Sequence, residues 1–307
     1  MKTMDLYLAP MEGITGYIYR NALKDIFGDH FRKYFTAFIT PRPKAGMRSK
    51  ERNDMLPDNN KGVTLIPQIM SRDAEEFLSL AHEIREDLGY EEINLNCGCP
   101  SGTVVSHGRG SGMLKDPDRL DRFLYEVFEK TEVKISVKTR IGMTDPEEWP
   151  ELLEIYKKYP LSELIIHPRV QKQGYGGKVW KECFDMAADA PFRVVYNGDI
   201  KKTEDIQGLS DTLMTGRGVI ADPSLGRQIY GGKKASPEEL KTFHDRIFYE
   251  YEALFDGPQP LISHMKELWS YMCINFPGKE KEFKALKKAR NLAEYKAAIR
   301  GIFYAKV

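Results

Sequence analysis

A (β/α)8 TIM barrel of the α/β class, followed by a smaller C-terminal all-α helical domain, is the architecture that the sequence predicts. Three observations support it: short apolar, β-branched runs alternate with amphipathic stretches to about residue 230, those runs number eight, and from Ser236 the pattern turns wholly helical. The expected strands are 6–9 (LYLA), 34–40 (YFTAFIT), 63–69 (VTLIPQI), 92–96 (EINLN), 134–140 (KISVKTR), 164–168 (LIIHP), 193–198 (RVVYNG) and 212–216 (TLMTG). Between them, residues 75–87 place Phe77, Leu80, Ala81 and Ile84 at helical spacing, which gives one buried stripe. Residues 117–131 open with Pro117 and Asp118 and set Leu120, Phe123, Leu124, Val127 and Phe128 on one face. An open doubly wound sheet is the rival, yet no Gly-x-Gly-x-x-Gly turn follows an early strand. Ser236 then begins a Ser-x-x-Glu capping pattern and helices follow to the end. The expected division is a barrel of residues 1–235 and a helical domain of residues 236–307.

With 41% hydrophobic and 30% charged residues, the composition is that of a soluble globular protein. No apolar run approaches a membrane span, and the N-terminus lacks a signal-peptide core, so a cytoplasmic location without membrane attachment is expected. Four scattered cysteines, Cys97, Cys99, Cys183 and Cys273, make no disulfide framework and suit a reducing compartment. A net charge of +1 does not announce a nucleic-acid binder, but its distribution is uneven. From Lys279 to Lys306, nine basic residues face Glu280, Glu282 and Glu294, a local net charge of +6. A second cluster, Arg42, Lys44, Arg48, Lys50 and Arg52, falls in an expected loop. Taken singly, each cluster is an ordinary solvated face. A monomer is the default expectation.

In a barrel, chemistry gathers where strands end and the following loops begin. Those ends carry Pro10-Met11-Glu12-Gly13, Gln68, Asn96 with Cys97-Gly98-Cys99-Pro100, Lys138 and Arg140, His167 and Arg169, Asn197-Gly198-Asp199, and Gly216-Arg217-Gly218. Lys138 lies between Val137 and Thr139 in a strand that a barrel buries on both sides, where an unpaired ammonium is costly and a bound anion would compensate it. Glycines at the ends of the last two strands put backbone N–H groups where this fold commonly binds phosphate. The spacing of Cys97 and Cys99 suits neither a zinc knuckle nor a disulfide, which leaves a reactive thiol or an idle one. A zinc site from Cys97, Cys99, His107 and Cys183 has the wrong ligand spacing, so no metal is expected.

With these residues in view, the chain resembles the tRNA-dihydrouridine synthase family, flavin enzymes that reduce uridines in folded RNA. The resemblance rests on LAPMEGIT (8–15), NLNCGCPSGTVVSHGRGSGMLKDP (94–117), SVKTRIG (136–142), IIHPRVQKQGY (165–175), VVYNGDI (194–200) and TGRGVIADP (215–223), in that order. It reaches into the tail at HMKELWSYMCINFPG (264–278). The resemblance implies FMN at the barrel mouth, contacted by Pro10, Met11, Gln68, Lys138, His167 and Asn197, with its phosphate at Gly198, Asp199, Gly216 and Arg217. It implies that Asn96, Arg140 and Arg169 hold the target nucleotide. Reduction would take hydride from FMN to C6 of uracil and a proton to C5 from Cys99, the cysteine before proline. NADPH or NADH would be the reductant. Cys97, at the expected strand's end, reads as a packing residue. The substrate base must be extruded to reach such a pocket, and the basic tail and the Arg42–Arg52 stretch would grip RNA phosphates.

The chain departs from the family where His-Gly-Arg-Thr becomes His167-Pro168-Arg169-Val170 and where Gln171 replaces a common basic residue. His107, in the loop after Cys99, is expected to lie near phosphate, with proton donation its reserve role. Competing readings are a flavin barrel acting on free pyrimidines, a reductase of ribosomal RNA, and a non-catalytic RNA-binding chaperone. The basic tail favours RNA over a free pyrimidine, and the retained Cys99, Lys138 and His167 favour catalysis over a chaperone.

Overall fold

The computed structural model of the chain describes residues 4–42 and 45–304, so Lys44 and Lys306 of the two basic clusters lie outside the described residues. Among the described residues nine parallel strands form one sheet: β1 (Asp5–Leu8), β2 (Lys33–Phe35), β3 (Leu65–Ile66), β4 (Gln68–Ile69), β5 (Glu92–Cys97), β6 (Lys134–Arg140), β7 (Glu163–His167), β8 (Arg193–Asn197) and β9 (Thr212–Thr215). Their order is β3-β2-β1-β9-β8-β7-β6-β5-β4. The two end strands, β3 and β4, are consecutive in the chain across Pro67, so the sheet closes on itself as a TIM barrel.

Pro67 is why the third expected strand is two. Proline has no N–H to donate, so the ladder changes partner there. The Ile66 carbonyl accepts from Thr36 at 3.1 Å, while the Pro67 carbonyl accepts from Asn94 at 2.8 Å. The second strand is likewise shorter than 34–40. Beyond Phe35, Thr36 Oγ1 takes the Gln68 N–H at 2.9 Å, and pairing resumes only at an isolated Ile39–Ile69 bridge.

The helices Ala74–Leu88 and Pro117–Lys130 begin at Asp73 and Asp116, whose carboxylates accept from the Glu76 and Arg119 N–H groups. The stretch expected as a basic loop contains a helix, Ser49–Met55, capped by Glu51 Oε2 accepting from the Arg48 N–H at 2.8 Å. Within it Arg52 is paired with Asp87 at 2.6 Å.

Contacts divide the chain into two compact units. One comprises residues 4–10, Lys33–Asp199 and Gly208–Met214; the other comprises Met11–Arg32, Ile200–Gln207 and residues 215–304. The second unit includes the all-helical C-terminal part, Pro237–Leu254, Pro258–Met272, Glu280–Lys288 and Leu292–Tyr304. Its first helix has the expected capping box, with the Glu239 N–H donating to Ser236 Oγ at 3.2 Å and the Ser236 N–H to Glu239 Oε2 at 2.9 Å. Its core is built around buried His244, whose Nε2 lies 2.8 Å from the Tyr295 hydroxyl.

In the first unit, Tyr7, Ala9, Phe35, Ile66, Ile165, Val195 and Met214 pack into one apolar cluster. Charged side chains come together at the N-terminal ends of the strands. The Tyr7 hydroxyl donates to Glu163 Oε1 at 2.7 Å, and Lys33 Nζ lies 3.1 Å from Glu163 Oε2 and 2.8 Å from Glu92 Oε2. Removing one member of such a buried set leaves the others uncompensated. Glu163→Ala is expected to cost about 3 kcal/mol, seen as a lower urea midpoint by intrinsic fluorescence.

Candidate active site

Strand register assembles the site. β4 and β5 pair with Gln68 beside Asn94, and β5 and β6 pair with Asn94 beside Ser136 and Asn96 beside Lys138. Because side chains alternate along a strand, Asn94 and Asn96 share one face with Ser136 and Lys138. Gln68, Asn94 and Ser136 are wholly buried, and they hydrogen-bond in series with Asn96. Ser136 Oγ accepts from Asn94 Nδ2 at 2.9 Å, Asn94 Oδ1 accepts from Gln68 Nε2 at 2.7 Å, and Gln68 Oε1 accepts from Asn96 Nδ2 at 2.7 Å. Asn96 Oδ1 then accepts the N–H groups of Gly98 and Cys99, both at 3.0 Å. The end of β5 is thus turned by a side chain of the same strand.

The Cys99 segment is also held from its far side. Its carbonyl accepts from the Ser111 N–H at 3.1 Å and from Ser111 Oγ at 2.8 Å. The Gly-rich loop can lie this close because Gly110, at φ +56°, has no side chain; a Cβ there would be 2.9 Å from the Cys99 carbonyl oxygen. Gln171 Nε2 donates to the Pro100 carbonyl at 3.1 Å, which gives this uncharged replacement a structural role. Cys99 itself is half-buried. Cys97, two residues earlier, is wholly buried with its sulfur 3.8 Å from Met113 Sδ, and burial pushes its thiol up to about 12. It stays protonated and inaccessible. His107 is exposed at the C-terminal end of the short helix Gly102–Ser106, its Nδ1 2.7 Å from the Thr103 carbonyl.

Lys138 has no carboxylate within salt-bridge reach and no hydrogen-bond acceptor among the described residues. Burial first, and then the neighbouring Arg140 charge, push its ammonium down to about 7, with interaction with Cys99 offsetting part of both. Arg140 is buried and spans two loops, its Nε donating to the Gly98 carbonyl at 2.9 Å and Nη1 to the Val170 carbonyl at 3.1 Å. Tyr175 covers it, with the guanidinium 5.4 Å from the ring centroid, and the same ring stacks 6.2 Å from His167. Half-exposed Tyr175 was not among the expected site residues; an aromatic set among glycines in QGYGG is the signal that could have marked it.

Arg169 is buried and turned inward. It donates to Asp199 at 2.5 Å, to the Gly177 carbonyl at 2.9 Å and to His167 Nε2 at 3.2 Å. Since arginine only donates, Nε2 of His167 accepts and the ring keeps its N–H at Nδ1. Asp199 is the one non-glycine described residue at positive φ, 42°. Asn197 Nδ2 donates to the Met214 carbonyl at 2.8 Å, and Gly198 follows it, where a Cβ would lie 3.5 Å from His167 Cδ2. Pro10 closes the β1 segment of this unit. Met11, Gly216 and Arg217 belong to the second unit, where the Met11 N–H donates to Thr15 Oγ1 at 2.8 Å and Gly216 precedes the short helix Arg217–Ala221. Among the described residues, the donor set is an ammonium without a carboxylate partner, neutral amides and an imidazole N–H. It suits an anionic ligand that can accept hydrogen bonds.

The Lys138 shift has a testable sign. Its pKa is depressed in the folded protein, so the charged form opposes folding fully below about pH 7, and the penalty fades as pH rises toward the ordinary lysine value. In ligand-free protein, Lys138→Met is expected to raise Tm more near pH 6 than near pH 9, measured by calorimetry at both.

The family model described as Dihydrouridine synthase (Dus) matches residues 7–300. The tRNA-dihydrouridine(16) synthase of Cupriavidus necator is 28% identical over 290 residues, covering 86% of this chain and 88% of its own. Its counterpart of the same name in Escherichia coli is 24% identical over 313 residues, covering 97% and 98%. Among solved structures, morphinone reductase superposes with a TM-score of 0.52 at 11% identity, over 76% of this chain and 87% of its own, a likeness of fold alone. With a match that runs across almost its whole length, the chain belongs to the dihydrouridine synthase family.

Proposed function

We propose that this protein is an oxidoreductase that reduces the C5–C6 bond of a uridine in tRNA to 5,6-dihydrouridine. The relatives named above act, by their names, on tRNA. The observation that carries the reading to chemistry is the Cys99 segment, stitched to Asn96 and Ser111 and electrostatically coupled to an unpaired lysine. Bound FMN, re-reduced by NADPH or NADH, supplies the hydride for C6. Everything else falls to the protein's own groups.

Lys138 offers its ammonium to the anionic edge of the flavin, with Gln68, His167 Nδ1–H and the Asn197–Asp199 backbone completing the contacts from this unit. Asn96 has a second amide N–H beyond the one given to Gln68, and it can hold a uracil carbonyl. Arg140 and Tyr175 border the base. The Cys99 Sγ–H donates its proton to C5, and the nearby Lys138 charge stabilises the thiolate left behind until water restores the proton. Arg169 acts at one remove, holding Asp199 and fixing the His167 tautomer, so its expected contact with substrate is replaced by a supporting role in this reading. Asp199 contributes its backbone N–H to phosphate while its carboxylate is neutralised by Arg169.

The helical tail supplies phosphate contacts. Lys281, Lys284, Lys287, Lys288 and Arg300 are exposed, and none has a carboxylate within 4.0 Å among the described residues. Each lysine removed is expected to weaken tRNA binding and reduce the log–log salt slope by about one, measured by filter binding of the Lys284→Ala and Lys287→Ala proteins. The carboxylate-paired Arg52 should contribute less.

The deciding experiment reduces the flavin anaerobically and mixes it with unmodified tRNA transcript. Fast reoxidation by transcript and none by free uridine monophosphate supports the reading, with position 16 the first to map, since that number stands in the relatives' names. Cys99→Ala is expected to slow reoxidation about 10²- to 10⁴-fold while tRNA still binds. Reoxidation by the free pyrimidine alone, or a protein that purifies without flavin, would refute it.

A further inference from the structure

The proposed chemistry leaves two buried polar residues without a task. Asn94 and Ser136 are both wholly buried, and neither hydrogen-bonds to the Cys99 segment. A buried amide usually has two orientations of similar shape that exchange its oxygen and its NH2 group. Here the choice is forced from one end. The N–H groups of Gly98 and Cys99 can only donate, so Asn96 must present Oδ1 to them and its NH2 to Gln68. Gln68 must then present Oε1 to Asn96 and its NH2 to Asn94, and Asn94 its oxygen to Gln68 and its NH2 to Ser136. Only the Ser136 hydroxyl can reverse.

Direction matters because the chain can also fail from its other end. Without an acceptor at position 94, both orientations of the Gln68 amide leave one buried polar group unpaired, so nothing at that end opposes a half-turn any longer. The half-turn sets NH2 against NH2 between Gln68 and Asn96. Asn96 then turns as well, and its oxygen leaves the loop. We infer that Asn94 is a positioning residue for Cys99, acting through Gln68 and Asn96, with Ser136 anchoring the far end. Its catalytic consequence rests on the proposed role of Cys99 as proton donor.

Amide hydrogen exchange of the flavin-free protein reads the geometry directly. In Asn94→Leu the protection of the Gly98 and Cys99 amides is expected to fall roughly tenfold, with β7 and β8 unchanged. In the holoenzyme saturated with FMN, kcat on tRNA is expected to drop about 10- to 100-fold with KM for tRNA unaltered. Asn94→Asp keeps an acceptor for Gln68, and Ser136 can turn its hydroxyl to donate, so protection at Gly98 and Cys99 should return. Should Asn94→Leu not fold, Ser136→Ala tests the same chain from its anchor, with the same local loss expected. Wild-type protection at Gly98 and Cys99 in the folded variant would overturn the inference, as would a loss spread evenly over β7 and β8. The exchange measurement needs neither flavin nor RNA. Its failure would count against the positioning role, whereas a wild-type protein that does not reduce tRNA would count against the proposed function.

Discussion

Everything at the candidate site depends on the parallel register between β5 and β6. Pairing Asn96 with Lys138 and Asn94 with Ser136 puts the amides, the ammonium and the hydroxyl on one face, and sends Leu95, Cys97, Val137 and Thr139 to the other. A slip of one residue would exchange the two sets, burying Lys138 among helices and aiming Cys97 and Val137 inward. Burial of both faces makes that slip very unfavourable. The outward set packs: Thr139 Oγ1 lies 3.0 Å from the Tyr156 hydroxyl, and Cys97 meets Met113.

Alternation alone would put residues 97 and 99 on one face, so it is the turn after β5 that makes two cysteines so close in sequence chemically different. Cys97 is the last residue of its strand and shares the environment of an apolar core, where a thiolate would be poorly solvated. Past it the strand ends, because Asn96 takes two successive backbone N–H groups that a longer strand would have given to a neighbour. Cys99 leaves the sheet at that turn. Its reactivity in the proposed chemistry is a matter of backbone direction, not of residue type.

Much of this was legible in the residues. Eight β-branched runs with helical stretches between them defined a barrel, and polar side chains at their ends marked its mouth. What could not be read was pairing across the ring. The series from Ser136 to Cys99 needs β4 beside β5, which follows from the break at Pro67, a residue that in sequence reads only as a flaw in a strand. Arg169 shows the converse limit. The resemblance implies a substrate contact for Arg169, and only the structure shows its guanidinium paired with Asp199, thirty residues away. The resemblance places Asp199 at the phosphate, where its carboxylate alone would be repulsive; the ion pair with Arg169 offsets that charge.

The choice of neutral amides beneath Lys138 has an electrostatic consequence. A glutamate at position 68 or an aspartate at position 94 could also have accepted hydrogen bonds within the series, yet either would have placed a negative charge on the face that Lys138 occupies. Such a charge would relieve the burial penalty that now pushes the ammonium down, and the lysine would be satisfied internally. Uncharged amides transmit orientation through directional donors and acceptors while contributing no net charge. The series therefore fixes the Cys99 segment and leaves the lysine's charge uncompensated. An anionic ligand is the group that gains most from entering, because its binding restores the counter-ion that the fold withholds.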